Sequence, residues 1–461
     1  MADYPTFGFV TPANMGLLTD LYELTMADSY LRQEMNEPAT FDVFVRDLPP
    51  HRAFLVSAGL ESVLHYLQHL RFDADGIAYL RSLGRFSAEF LAYLRGFRFS
   101  GSVRAIAEGE IFFPQEPLVE VTAPRIEAQI VETFLLNTLN FQVMIATKAA
   151  RTVMAAAGRN VIDFSPRRDH GADAAVKVAR ASYIGGCVGS SCVLAGQLYG
   201  IPVFGTMAHS YVMSFPDELS AFRAFARDFP DNCVLLIDTY DTLQGARHAI
   251  TVAGEMRGGG GRLAGVRLDS GDLAADSRRV RALLDEAGLA DAQIVLSGGL
   301  NETVIADLIR DGAAVDAFGI GTELGTSADA PFVEGVYKLV EDAEGYRIKL
   351  STGKATLPGR KQVWRINDGD GVPREDLIAL ADEPGPPGAT PLLAEVMKGG
   401  RTVQTDRLSE MQRRCAQRLG DLPLALRPLR GGVPLPVRLS PAMEALRSRM
   451  YQQAAETERA R

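Results

Sequence analysis

At 461 residues with a net formal charge of −9, the chain is too long for one hydrophobic core and too acidic for a broad nucleic-acid surface, which needs a basic stripe. Its 47% hydrophobic and 23% charged content excludes a disordered chain. The opening MADYPTFGFV lacks a leader's basic start and apolar core, and no apolar run approaches the roughly 20 residues of a membrane span, so a cytoplasmic protein with no membrane partner is expected.

Residues 1–125 mix helical stretches with strand-like FDVFVRDL from Phe41 and a turn-rich segment through Phe113, Pro114 and Pro117. This is α+β character. Residues 126–157 carry a long apolar helical pattern, read as the start of a barrel domain spanning 126–340. From about 160 onward, short apolar runs alternate with amphipathic helices, as in parallel sheets built from βα units. The runs are VIDFS from Val161, IPVFGT from Ile201, CVLLIDT from Cys233, LAGVRLDS from Leu263, AQIVLSGG from Ala292 and AFGIGT from Ala317. Each is nearly continuously apolar and ends in polar residues or glycine, as strands buried on both faces do.

A helix over 272–287 places Leu273, Val280, Leu283, Leu284 and Ala287 on one stripe, with Gly288 as its stop. Asn301 caps the next, which turns Val304, Ile305, Leu308 and Ile309 inward and ends at Gly312. Six or more such repeats favour a closed or nearly closed α/β barrel over an open doubly wound sheet. Beyond 340, Pro384–Pro391 reads as a loop and the last twenty residues as a charged helix. Region 341–461 is expected to pack back on 1–125, making a discontinuous α+β domain. Cys187, Cys192, Cys233 and Cys415 lack metal-ligand spacing and read as buried free thiols. Gly258–Gly261 reads as a turn.

Several strand ends carry chemistry. Ser297-Gly298-Gly299 and Gly319-Ile320-Gly321-Thr322 close the last two βα junctions, where barrels bind phosphate through backbone N–H groups and helix N-termini. Either loop alone could be a tight turn; together they point to a phosphate site. Arg267-Leu268-Asp269-Ser270-Gly271-Asp272 adds a guanidinium for anionic oxygens and carboxylates for sugar hydroxyls or a metal-bound diphosphate. An internal Arg–Asp pair, or a helix cap by Ser270 or Asp272, is the simpler alternative. Gly205-Thr206-Met207-Ala208-His209-Ser210 follows another strand and holds one of six histidines. Residue type alone favours a structural hydrogen bond for His209 over catalysis.

From Leu17-Leu18-Thr19-Asp20-Leu21-Tyr22 to the C-terminal third, the chain resembles the nicotinate phosphoribosyltransferases. Gly205-Thr206 through His209-Ser210, Gly265 through Leu273, Gly319 through Thr322, Gly335-Val336-Tyr337-Lys338-Leu339 and the run from Lys349 through Lys354, Pro358-Gly359 and Lys361-Gln362-Val363 stand in family order. The resemblance implies a type II phosphoribosyltransferase fold, an irregular α/β barrel, closed or open, beside a discontinuous α+β domain, and ATP-coupled synthesis of nicotinate mononucleotide and diphosphate from nicotinate and 5-phosphoribosyl 1-diphosphate, in NAD salvage. It implies that His209 is phosphorylated by ATP, that Thr206 and Arg267 contact nicotinate, and that Gly321 and Thr322 belong to the phosphoribosyl phosphate site; by their strand-end placement Ser297, Gly298 and Gly299 are expected to hold the same phosphate, and Asp269 to orient the ribose or the metal shell. It further implies Mg²⁺ with the diphosphate and a homodimer in which Tyr22 stacks on the pyridine ring in the neighbour's barrel. The residues do not indicate metal ligands. Arg167-Arg168 matches a paired-arginine motif at the substrate pocket, but Asp169-His170 departs from the Ala-Gln of many relatives.

Ser351, Lys354 and Lys361 could touch nucleotide or brace the C-terminal return, and no P-loop marks ATP contacts. The alternatives are a nicotinamide or quinolinate phosphoribosyltransferase, a barrel aldolase or isomerase on a sugar phosphate, and a non-catalytic phosphosugar-binding protein. Lys148 and Lys177, on helix-like stretches, offer the aldolase reading no persuasive Schiff-base lysine.

Overall fold

The computed structural model describes residues 10–258, 260–349 and 356–459. The chain divides into two compact units, one of Met1–Met144 with Phe332–Arg461 and one of Ile145–Pro331. The dividing point falls inside the helix Glu132–Ala155, not at the 125/126 boundary expected from composition, and the return point lies at 331/332 rather than 340. The apolar pattern is continuous through 126–157, so it does not show where one helix changes unit.

In the first unit a seven-stranded antiparallel sheet runs Gly345–Tyr346, Gly335–Asp342, Pro38–Val45, Pro117–Pro124, Ser102–Ile106, Leu393–Lys398, Arg401–Thr402. Val43 stands opposite both Tyr337 and Val119, so strands from the two ends of the chain share one sheet. A second sheet orders Thr390–Pro391, Lys361–Asn367, Pro373–Leu380 and Val437–Leu439. Lys361 is buried, with Nζ 2.7 Å from Asp42 Oδ2, so it braces this unit's interior. Ser351 and Lys354 lie outside the described residues, as does Gly259 of the glycine run.

The second unit holds six strands: β1 (Asn160–Asp163), β2 (Gly189–Ser190), β3 (Cys233–Leu236), β4 (Leu263–Leu268), β5 (Gln293–Leu296) and β6 (Ala317–Ile320). All neighbours are parallel, in the order β2-β1-β6-β5-β4-β3. Among the described residues no ladder joins β2 to β3, so this is an open half-barrel. Five expected runs are strands. The sixth, from Ile201, is only a bridge between Val203 and Ser190. Pro202 has no N–H to donate, and Val203 and Phe204 are exposed at the edge, so the ladder stops there. The two-residue β2 is too short to read from sequence.

The helices follow their local signals. Asn301 Oδ1 accepts from Thr303 N and Val304 N, and the helix Glu302–Arg310 buries Ile305 and Leu308. Asp272 caps Leu273–Glu286 through Ala275 N, 3.0 Å, which takes this carboxylate out of the candidate site as the simpler alternative expected. Val280 and Leu284 join Phe222, Val266, Ile294, Leu296 and Phe318 in the core between helices and sheet. Cys187, Cys233 and Cys415 are buried free thiols, and Cys192 is half-buried.

Lys148, fully buried, donates to Glu302 Oε2 and Asp329 Oδ1 at 2.5 and 2.8 Å, and Arg151 lies 3.4 Å from Glu302. Taking one charge from such a cluster leaves its partners buried and under-compensated. Lys148→Met is therefore expected to cost about 3 kcal/mol, read as a shifted urea midpoint, and a loss under about 0.5 kcal/mol would contradict this account.

Candidate active site

Parallel strands deliver all their C-terminal ends to one side of the sheet, so residues far apart in sequence meet there. A cavity of about 860 Å³ opens at that side. Of the ten candidate residues in this unit, Arg168, Thr206, Arg267, Asp269, Ser297, Gly298, Gly299, Gly321 and Thr322 line it. His209 does not line it directly. It begins the short helix His209–Met213 beside the lining residue Ala208, and its Nδ1 is 3.2 Å from Thr239 Oγ1, just past the end of β3. The imidazole therefore stands at the strand-end side. Tyr22 belongs to the other unit, on the first turn of the helix Leu21–Arg32, with its ring half exposed.

Arg267 dominates the cavity's chemistry. Its Nη1 donates to Thr206 Oγ1 at 2.8 Å, joining β4 to the loop after Val203, while its Nε is buried with no protein acceptor. Burial pulls this guanidinium below its ordinary value, opposed by the charges of Asp269 and Asp238. It makes no direct ion pair among the described residues, so the expected alternative of an internal Arg–Asp bridge does not hold. A desolvated guanidinium with an unmet donor suits an anionic ligand.

Asp269 Oδ1 accepts from Ser297 Oγ at 2.5 Å, tying β4 to β5. Asp238, which sequence reasoning passed over, organises this turn. Its Oδ2 accepts from Asp269 N and from Ser270 Oγ, both at 2.7 Å, while Oδ1 is buried without a partner. Its signal was its place at the end of CVLLIDT, where a strand-end carboxylate could have been noticed. Phe164, Ser191 and Glu323 also line the cavity unanticipated; strand-end position was the only clue for Phe164 and Glu323, and Ser191 follows a strand too short to read. Three arginines, Arg167, Arg168 and Arg267, face the cavity against two acids, Asp269 and Glu323. No lysine lines it. Lys148 is in its buried cluster, and Lys177 pairs with Asp173 on a helix.

The glycine turn after β5 has a steric cause. Gly298 has φ +88°, and a Cβ there would lie 1.9 Å from the carbonyl oxygen of Asp269. Only a residue without a side chain lets the β4 and β5 ends approach this closely. Gly298→Ala is expected to destabilise this unit by about 2–3 kcal/mol through strain and displacement of Asp269. A thermal midpoint equal to that of the unaltered protein would refute the steric argument.

The comparisons with known proteins agree with this geometry. The model of the nicotinate phosphoribosyltransferase N-terminal domain matches residues 17–140, and that of the nicotinate phosphoribosyltransferase family matches 160–339. A nicotinate phosphoribosyltransferase of Mycobacterium tuberculosis is 49% identical over 388 residues, 84% of this chain and 83% of the relative. The chain belongs to the nicotinate phosphoribosyltransferase family. The Bacillus subtilis nicotinate phosphoribosyltransferase is 44% identical, over 80% of this chain and 77% of its own. The crystal structure of human nicotinic acid phosphoribosyltransferase superposes with a TM-score of 0.85 at 30% identity, covering 93% of this chain and 99% of that one. Membership of the nicotinate phosphoribosyltransferase family spans both units, so the half-barrel and the discontinuous α+β unit fall within one matched architecture.

Proposed function

We propose that this chain joins nicotinate to the phosphoribosyl group of 5-phosphoribosyl 1-diphosphate, releasing diphosphate and nicotinate mononucleotide for NAD synthesis. The observation that carries this reading is Arg267, a half-buried guanidinium with an unmet Nε donor, lining one cavity together with two glycine turns. Arg267, with Thr206 and Arg168, takes the nicotinate carboxylate. The turns at Ser297-Gly298-Gly299 and Gly321-Thr322 take the 5-phosphate through backbone N–H groups.

The pyridine nitrogen attacks C1 of the sugar as the C1–oxygen bond to diphosphate breaks. No protein nucleophile is required, and catalysis is positioning and charge stabilisation. Asp269, one oxygen held by Ser297, orients the ribose hydroxyls. The hard oxygens of Asp269 and the unpartnered Oδ1 of Asp238 are of the type Mg²⁺ accepts, and a bound Mg²⁺ would neutralise charge on the departing diphosphate.

His209 is assigned as the site of phosphorylation by ATP, coupling hydrolysis to substrate affinity. Its place beside the cavity loop, with Nδ1 held by Thr239, supports this. The active assembly is assigned as a homodimer in which Tyr22 enters the neighbour's cavity, and its exposed ring fits that role better than local packing does.

The direct experiment supplies nicotinate and labelled phosphoribosyl diphosphate, with and without ATP, and follows diphosphate and mononucleotide. Formation of nicotinate mononucleotide, stimulated by ATP, is expected. Preference for nicotinamide or quinolinate would overturn the substrate assignment, and no diphosphate release with any pyridine would overturn the reaction.

A further inference from the structure

Asp169 lies in the turn that presents Arg167 and Arg168 to the cavity, yet does not itself line the cavity. Its Oδ2 is 3.2 Å from Ser165 Oγ, and that hydroxyl is 2.6 Å from Oδ1 of Asp163 at the end of β1. One hydroxyl carries one proton, and the nearer acceptor takes it. Asp163 also receives Ser165 N at 2.9 Å and Ser190 Oγ at 2.7 Å, so three donors stabilise its negative form. With the Ser165 proton committed, the Asp169–Ser165 contact is a hydrogen bond only if Asp169 is the donor. Its other oxygen, Oδ1, is buried with no partner, a tolerable state for a neutral carbonyl and a costly one for an anion. That oxygen abuts Gly325 so closely that a Cβ there would lie 1.9 Å away.

We infer that Asp169 holds a proton in the substrate-loaded site, donating to Ser165 and so positioning the Arg167–Arg168 turn against the helix Thr322–Gly325. This rests on the reading of the cavity as a site for anionic substrates. The chain of bonds runs from the Asp169 hydroxyl to Ser165 Oγ and from the Ser165 hydroxyl to the Asp163 carboxylate. It links the arginine turn to β1, while the other Asp169 oxygen packs on Gly325 beyond the phosphate loop. Losing the proton turns the Asp169–Ser165 contact into two acceptors facing one committed hydroxyl. It also adds a negative charge beside the turn that must attract phosphate or carboxylate.

Burial pushes Asp169 up to about 6; the nearby Asp163 adds to this, and the Ser165 bond and His170 work against it. Burial pushes Asp163 upward as well, against its three donors, and the pair's proton is placed on Asp169 because Asp163 holds those donors. The remaining charged groups are Arg167 and Arg168 in the same turn and Glu323 in the helix Thr322–Gly325. Asp173 and Lys177, on the adjoining helix Ala172–Ile184, pair with each other. A phosphate bound nearby disfavours ionisation of Asp169 further.

The test compares kcat/KM for phosphoribosyl diphosphate in the unaltered protein and in Asp169→Asn from pH 5 to 8.5. Titration of the substrate cancels in the ratio of the two. The ratio of variant to unaltered protein is expected to be near one at pH 5 and to rise through pH 6 to on the order of tenfold at pH 8. An infrared carbonyl band of a protonated carboxyl, absent in Asp169→Asn, is expected at low pH and should persist to higher pH once phosphoribosyl diphosphate is bound. A pH-independent ratio, or no such band at pH 5, overturns the proposal while leaving the transferase reading intact. A titrating band in a protein that turns over no pyridine would instead sink the transferase reading and leave the proton assignment standing.

Discussion

Replacing Arg267 by leucine is expected to lower kcat/KM for nicotinate by about a hundred- to ten-thousand-fold, because an anionic substrate then meets apolar surface where a desolvated guanidinium stood. The folded protein should not suffer equally. Arg267 is half-buried with one satisfied hydrogen bond, to Thr206, and a bare, buried Nε. Desolvating a cation costs stability, and the shorter, apolar leucine removes that cost while leaving the Thr206 hydroxyl to find water. The thermal midpoint of Arg267→Leu is therefore expected to hold or rise while activity collapses, the trade characteristic of a group kept for binding. Arg267→Lys should recover little, since a point charge cannot reproduce the planar fork reaching Thr206 and the ligand together. A KM for nicotinate within threefold of the unaltered value in the leucine variant would remove Arg267 from the carboxylate site.

The second large effect concerns His209. His209→Ala is expected to abolish stimulation by ATP, bringing the ratio of rates with and without ATP from about 5–150-fold, the usual range of such couplings, to one. A low ATP-independent transferase rate should persist, because most groups assigned to sugar and pyridine lie on other elements: Arg267 on β4, Asp269 just past its end, the glycine turns after β5 and β6. Thr239→Val, which removes the partner of Nδ1, should weaken stimulation without abolishing it, since the ring loses its orientation but keeps its nitrogens. The accompanying measurement is acid-labile phosphate after incubation with labelled ATP. Full stimulation in His209→Ala, or equal acid-labile label in that variant and the unaltered protein, would reject the assignment.

Much of this site is legible in the amino-acid order. The strand-end triplets and the Arg267–Asp272 segment stand out because a parallel strand buried on both faces must end where polar residues begin. Asp272 shows the limit of such local signals. It sits in the same segment as Arg267 and Asp269, yet it spends its carboxylate on capping a helix. Asp238 escapes notice for the converse reason: a strand-end aspartate carries no local mark distinguishing a turn-organising acid from a solvated one. The segment from Ile201 has strand composition, but Pro202 and an exposed edge leave it one bridge.

The amino-acid order by itself determined the βα alternation, the helix cap at Asn301 and the residue types at the strand ends. These depend on interactions within a few residues, which propensity and burial periodicity encode directly. Only the tertiary structure decided that Arg267 reaches Thr206, that Ser297 holds Asp269, and that the barrel stays open between β2 and β3. Those pairings follow from the strand order β2-β1-β6-β5-β4-β3. Strand order is set by which apolar faces close together over long separations, a collective property of the packed unit that no short window contains.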